Sequence, residues 1–265
     1  MQRQIELRRT HAMKVEPVRG PKFASVVRRY GGAPLPGTLV LAGHDPSDPL
    51  AILLSNFLLW ESSLPLAEEA LARIARFMVD INELRVMLEG ELAETIGDKY
   101  PYVEERAQRL RASLNDIFRR QHRTSLDHLR NASRRDQRAY LEGLAEIPPF
   151  VVGRTLSVAF ELPTPAVDDT AVEMLHREGA VEASATTADV ASWIGKHHRV
   201  EEIGKVNAAL AALGREAWQG GARAGVKARA AYVARHMQFR AAEDAERLRL
   251  EEERRMKAAA VERAA

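Results

Sequence analysis

Two adjacent acids, Asp168 and Asp169, follow a proline-marked segment in PTPAVDDTAVEML. A carboxylate held at a cleft can stabilise a developing cation, or orient a water and take its proton. If two carboxylates lie close together, one of them titrates high. The same residues also have a plain structural use. Asp is a preferred helix N-cap, and DDTAVEML reads as the opening of a helix. Both readings stand on these residues alone.

Other reactive side chains offer less. His197 and His198 are neighbours in GKHHRVEE, so on a helix they point to different sides, and no further ligands accompany them. No metal site and no cofactor are expected. The 265 residues contain no cysteine, which excludes disulfides, thiolate zinc sites, iron–sulfur clusters and cysteine nucleophiles. Trp60 and Phe57 read as core. Basic side chains gather in RRQHR, from Arg119 to Arg123, and again at Arg130, Arg134 and Arg135. Such a face suits a phosphate backbone, and a solvated helix face looks the same.

Helices must position these groups. Asp48 caps DPLAILLSNFLLWESS, with Pro49 at the first helical position. That segment is apolar nearly all round, so it should be buried. SLPLAEEALARIARFMVDI follows, and INELRVMLEGELAETIG supplies one or two short helices. In PYVEERAQRLRASLNDIFRRQH, residues Val103, Ala107, Leu110, Leu114, Ile117 and Phe118 make an amphipathic stripe. Ser133 caps SRRDQRAYLEGLAEI. The stiff Pro148-Pro149 turn leads into FVVGRTLSVAF. DDTAVEMLHREG ends at Gly179 as a C-terminal cap, and TTADVASWIGKHH and VEEIGKVNAALAALGREAW come after it. Only GTLVLAG could be extended. The fold class is therefore all-α with short connections.

Composition divides the chain into three. Residues 1–45 form a basic arm with several Gly and Pro, read as solvated or as a strap on phosphates. Residues 46–214 form the helical domain. Residues 215–265, rich in Ala, Arg and Glu, read as a solvated helical extension. The formal net charge is +2 and the pI about 9.0, compatible with an anionic partner. No segment is apolar for long enough to span a bilayer, and the start lacks the apolar run of a secretory signal. A cytoplasmic protein with no membrane partner is expected.

The order and spacing of LLSNFLLWES, AETIGDKYPYVEERAQRLRASL, YLEGLAEIPPFVVGRTLSVAF, PTPAVDDTAVEML and NAALAALG resemble the endonuclease III-like helix-hairpin-helix DNA glycosylases. The resemblance covers about residues 45–214. It implies a two-lobed helical fold with a central cleft, double-stranded DNA as partner, and a nucleoid-associated location. It places Asp168 at the family's catalytic aspartate, leaving Asp169 as cap or supporting partner. Asn56 falls where relatives often carry a Gln that fills the space left by a flipped base. IPPFV takes the hairpin position, near residues 141–160. There Pro149 and Val151 replace the family's glycines, and Pro148 and Arg154 would help to meet a phosphate. Arg134 and Arg135 would also face DNA.

The departures matter chemically. Gly153 stands where bifunctional members carry a lysine, and glycine cannot form a Schiff base. Proline has no N–H and valine resists positive φ, so the usual hairpin anion nest is incomplete. The cluster cysteines that should follow Gly214 are missing. The span from hairpin to aspartate is about three residues shorter than in endonuclease III, nearly one helical turn. The resemblance thus implies a monofunctional glycosylase without a cluster. The alternatives are a DNA-binding protein that has lost catalysis, and an all-α interaction protein whose C-terminal helix meets a protein partner.

Overall fold

A computed structural model describes residues 16–33 and 39–264. Twelve α-helices occur among them: α1 (Gly20–Tyr30), α2 (Pro49–Leu59), α3 (Leu64–Phe77), α4 (Ile81–Val86), α5 (Glu89–Ile96), α6 (Val103–Gln121), α7 (Arg134–Glu142), α8 (Pro149–Ala159), α9 (Asp169–Arg177), α10 (Thr187–His197), α11 (Val200–Trp218) and α12 (Ala222–Ala264). A short 3-10 turn, Asp127–Asn131, precedes α7. The described residues contain no β-strand, only an isolated antiparallel bridge between Val18 and Val181. Part of GTLVLAG, like residues 1–15, lies outside the described residues. Its Leu39 and Leu41 are buried without strand pairing.

The helices make two lobes with separate hydrophobic cores. One core is built from α2 to α8, the other from α1, α9, α10, α11 and Tyr232 of α12. Helix α2 is the axis of the first. Every one of its residues is buried, as an all-round apolar helix requires. Its Asp48 cap accepts the Leu50 N–H at 2.9 Å. Helix α6 lies beside it and buries the stripe Ala107, Leu110, Leu114 and Ile117.

The hairpin of α7 and α8 is pinned from beneath by α6. Buried Asp116 accepts the Ala145 N–H at 3.0 Å, and the Ser113 hydroxyl donates to the Ala145 carbonyl at 2.8 Å. Burial works against the Asp116 charge, but the Ala145 N–H, Arg120 and Arg119 outweigh it and hold the carboxyl below its usual range. The Leu144 N–H is also used internally, on the Leu141 carbonyl. With two prolines beside them, few turn donors remain for an anion.

Two stretches differ from their sequence reading. Inside the span read as a solvated basic arm, α1 buries Phe23, Val26 and Val27 and packs on α11. Spacing of i, i+3 and i+4 gives that helix an apolar face. Its Arg19 and Arg29 pair with Glu182 and Glu178, at 2.7 and 3.0 Å. At the other end, α11 runs to Trp218, as VEEIGKVNAALAALGREAW reads, so the division placed at 214–215 falls inside a helix. The 43-residue α12 then folds back. It buries Ala228, Arg229 and Tyr232, while Met237 and Leu248 farther out are exposed. Gly225 makes the return possible, because a Cβ there would come within 2.2 Å of the Trp218 ring. The beginning of the tail is therefore part of the folded body.

Candidate active site between the two lobes

The segment Pro163–Val167 crosses from one lobe to the other, and both lobes hold it. The Ser157 hydroxyl of α8 accepts the Thr164 N–H at 3.0 Å. From α11, Asn207 accepts the Ala166 N–H at 3.1 Å and donates to the Thr164 carbonyl at 2.9 Å. Helix α8 also lies directly against this backbone. A Cβ on Gly153 would meet the Pro165 carbonyl oxygen at 2.4 Å. Glycine at 153 is thus required by close packing.

The segment delivers Asp168 as the N-cap of α9, where its carboxylate accepts the Ala171 N–H at 2.8 Å. The capping role assigned to Asp169 thus belongs to Asp168. Asp169 is the first helical residue, and its carboxylate meets Arg229 instead. Asp168 faces a pocket of about 60 Å³ between the lobes. Leu59, Leu64, Phe150 and Trp218 give it apolar walls, and Arg154, Asn207 and Ser62 add polar edges. No lysine lines it. Apolar walls with a few convergent polar groups are the ordinary lining of a ligand site, although this cavity is much smaller than the few hundred Å³ that such sites enclose.

A further acid sits behind the pair. Glu61 follows α2 in a left-handed backbone conformation, φ +47°, and is 0% exposed. Its carboxylate accepts the Asp169 N–H at 2.7 Å and the Thr170 N–H at 3.4 Å, and also accepts the Thr170 hydroxyl. Buried Arg106 donates to the Phe57, Glu61 and Pro101 carbonyls, fixing this end of α2. Glu61 thereby ties the first lobe to the N-terminus of α9, whose positive dipole end favours a carboxylate.

Charge balance comes from the tail. Arg229 of α12 reaches Asp169 at 3.1 Å, Glu105 at 2.8 Å and Glu61 at 3.9 Å. Its guanidinium lies over the Tyr102 ring, 4.3 Å from the centroid, and 5.1 Å from that of Trp60. Burial lowers its pKa, but Glu105, Glu61 and Asp169 outweigh that and hold it above the ordinary arginine value. Burial, and then the neighbouring Asp168 and Asp169, push Glu61 well above the usual carboxylate range. Burial also raises Asp169, against the pull of Arg229. Asp168 rises to about 6, mainly through burial, while the Ala171 N–H pulls it down. It is therefore mostly ionised at neutral pH and still able to accept a proton.

The remaining expected site residues separate. Asn56 is 2% exposed and locked between α2 and α8, donating to the Thr155 hydroxyl at 3.1 Å. It also accepts from Arg154 Nε at 3.1 Å. Val151 is 0% exposed in the first core. Asn56 is enclosed because the whole of α2 is buried, and Val151 because α8 turns it into the first core. Arg154 is buried as well and lines the Asp168 pocket, not an outer phosphate surface. Desolvation lowers its pKa to about 10. Pro148 is buried, whereas Pro149 is exposed at the start of α8. Arg134 and Arg135 are exposed at the start of α7. Within RRQHR, Arg119 and Arg120 pair with Asp116. Trp193 stacks on His197 and sits edge-on to His198. Among the described residues no cluster of three His, Asp or Glu is arranged to hold a metal ion.

Three participants escaped the sequence reading: Glu61, Arg229 and Asn207. Glu61 left one trace, an acid at the end of an otherwise apolar helix. Arg229 left none, because it is one of many arginines in an evenly charged tail.

No protein-family model matches the chain, and no curated protein does. Solved structures do match in fold. A trapped endonuclease III–DNA covalent intermediate, an estranged-adenine complex, superposes with a TM-score of 0.54 at 17% identity, over 72% of this chain and 82% of that one. A non-covalent endonuclease III–DNA complex gives 0.55 at 18% identity, over 74% and 84%. The fold is that of endonuclease III, as the order of motifs implies. Among the described residues, no helix is long and apolar enough to cross a membrane.

Proposed function

We propose that this chain is a monofunctional DNA N-glycosylase that hydrolyses the bond between sugar and base at a damaged or mispaired nucleotide flipped out of the duplex. One observation carries the reading: Asp168, a largely ionised carboxylate, faces a small, mainly apolar pocket between the lobes of a glycosylase fold. As the C1′–N bond breaks, its electron pair leaves with the base, which takes up a proton. The Asp168 carboxylate stabilises the sugar cation left behind. A water oxygen then bonds to C1′ and gives its proton to Asp168; passed on to the departed base, this is the proton the base takes up, and the Asp168 carboxylate is restored. Phe150 and Trp218 supply walls for a planar base. Hydrolysis is favoured over a lyase route because no lysine amine lines the pocket and position 153 packs against Pro165. Double-stranded DNA is the partner in this reading. The altered hairpin implies weaker phosphate capture there.

Single-turnover cleavage of duplexes carrying a panel of damaged and mispaired bases tests this. One duplex or more should release its base, and Asp168→Asn should slow release by about 100-fold or more. Asp168→Asn should still bind a duplex with an abasic-site analogue. Preference for the abasic duplex without any cleavage would identify a binding protein instead. No salt-dependent binding to any duplex would leave an interaction protein on this fold.

A further inference from the structure

The C-terminal helix is the part of the chain that the glycosylase reading does not use. It nevertheless sends one side chain into the heart of the acidic group. Arg229 is 9% exposed and bridges three elements, through Glu105 on α6, Asp169 on α9 and Glu61 after α2. Its position is fixed by more than charge. The Tyr102 hydroxyl donates to the Val226 carbonyl at 3.1 Å, one turn before it. One turn after it, Tyr232 is buried in the second core. Arg235, a further turn on, pairs with Glu173 of α9 and donates to the Ala183 carbonyl at 2.8 Å. The start of α12 is thus clamped along α9, the helix that Asp168 caps.

We propose that Arg229 is a positioning residue for Asp168, and that α12 is therefore a working part of the active site. By holding Asp169 and Glu61, Arg229 fixes the two residues that flank and back the α9 N-terminus. It also supplies the positive charge that lets several carboxylates occupy one buried place. The Asp169 charge raises the Asp168 pKa, while the Arg229 charge and a backbone hydrogen bond at Glu61 pull it down. Tyr102, Glu105 and Arg106 at and within α6, with Tyr232 and His236 on α12, are further ionisable groups packed around this cluster. Arg154 lines the pocket wall on the other side of Asp168. Removing Arg229 leaves a surplus of negative charge, so the acids, Asp168 included, should hold their protons to higher pH.

This role rests on the glycosylase reading for its catalytic meaning, but its test does not. The Asp168 carboxyl carbon is titrated by carbon-13 NMR in the full chain, in wild type, Arg229→Gln, Arg229→Lys and Glu105→Gln. Arg229→Gln should move the Asp168 midpoint upward by about one pH unit or more, and Arg229→Lys should restore most of it. Glu105→Gln should move it downward, because Arg229 then serves fewer acids. An unchanged midpoint in folded Arg229→Gln overturns the proposal. If that variant does not fold, an unchanged midpoint in Glu105→Gln overturns it. Where a cleaved duplex is in hand, the acidic limb of the pH–rate profile should move with the NMR midpoint. If wild type cleaves nothing, the glycosylase reading fails while the titration still decides the role of Arg229.

Discussion

Arg229 Nε lies 3.1 Å from Asp169 Oδ2, although 60 residues separate them in the chain. The contact joins the C-terminal helix to the residue that follows Asp168, the proposed catalytic aspartate. It also explains how Glu61, Asp168 and Asp169 can share one buried corner. Desolvation raises all three pKa values, repulsion from neighbouring acids adds to each (Asp168 and Asp169 on Glu61, Asp169 on Asp168, Glu105 on Asp169), and one cation offsets part of the cost.

That balance makes stability depend on pH. For these three acids the folded pKa lies above the unfolded one, which is about 4. Between the two values the folded state keeps protons that the unfolded state has released. Their contribution is therefore full below the unfolded value and falls as pH rises through the raised values. Glu61→Gln, which resembles the protonated acid, should flatten this fall. Urea midpoints measured from pH 5 to 8 should decline less in the variant than in wild type, and parallel declines would speak against a buried acidic Glu61. Glu61→Ala should be worse at every pH, by roughly 3 kcal/mol, because the Asp169 and Thr170 donors lose their acceptor.

The sequence resemblance puts Gly153 where bifunctional glycosylases carry a lysine, and its own environment explains the glycine. Gly153→Ala should cost about 1–3 kcal/mol, since the new Cβ collides with the Pro165 carbonyl oxygen. The collision pushes on the segment that carries Asp168, so cleavage should slow as well. Urea unfolding and single-turnover rates check both. Full stability in Gly153→Ala would mean that the crossing of α8 over Pro163–Ala166 is looser than described.

Arg134 and Arg135 are the exposed cations at the start of the hairpin. If they meet phosphates, Arg134→Gln with Arg135→Gln should weaken binding to all duplexes alike. The slope of log affinity against log salt should fall by about 0.9 for each phosphate that is no longer neutralised. Unfolding should barely change, because neither side chain is buried. An unchanged slope would place the DNA path elsewhere on the molecule.

The sequence alone determined the helical class, the buried α2, the α6 stripe, the Asp48 and Ser133 caps, and the delivery of Asp168 by a proline segment. These follow from local rules: apolar periodicity, capping chemistry and the stiffness of proline. The order of such elements was enough to point to the fold. Tertiary structure decided what those rules cannot reach. Asn56 met Thr155 and Arg154, and Val151 turned inward, because α2 packs on α8. Part of the basic arm became α1 because a second core offered its apolar face a partner. Glu61, Asn207 and Arg229 joined the site from 107, 39 and 61 residues away from Asp168 along the chain. Such convergence depends on how lobes close and where a long helix folds back. A charged side chain in an even run carries no mark of which neighbour it will meet.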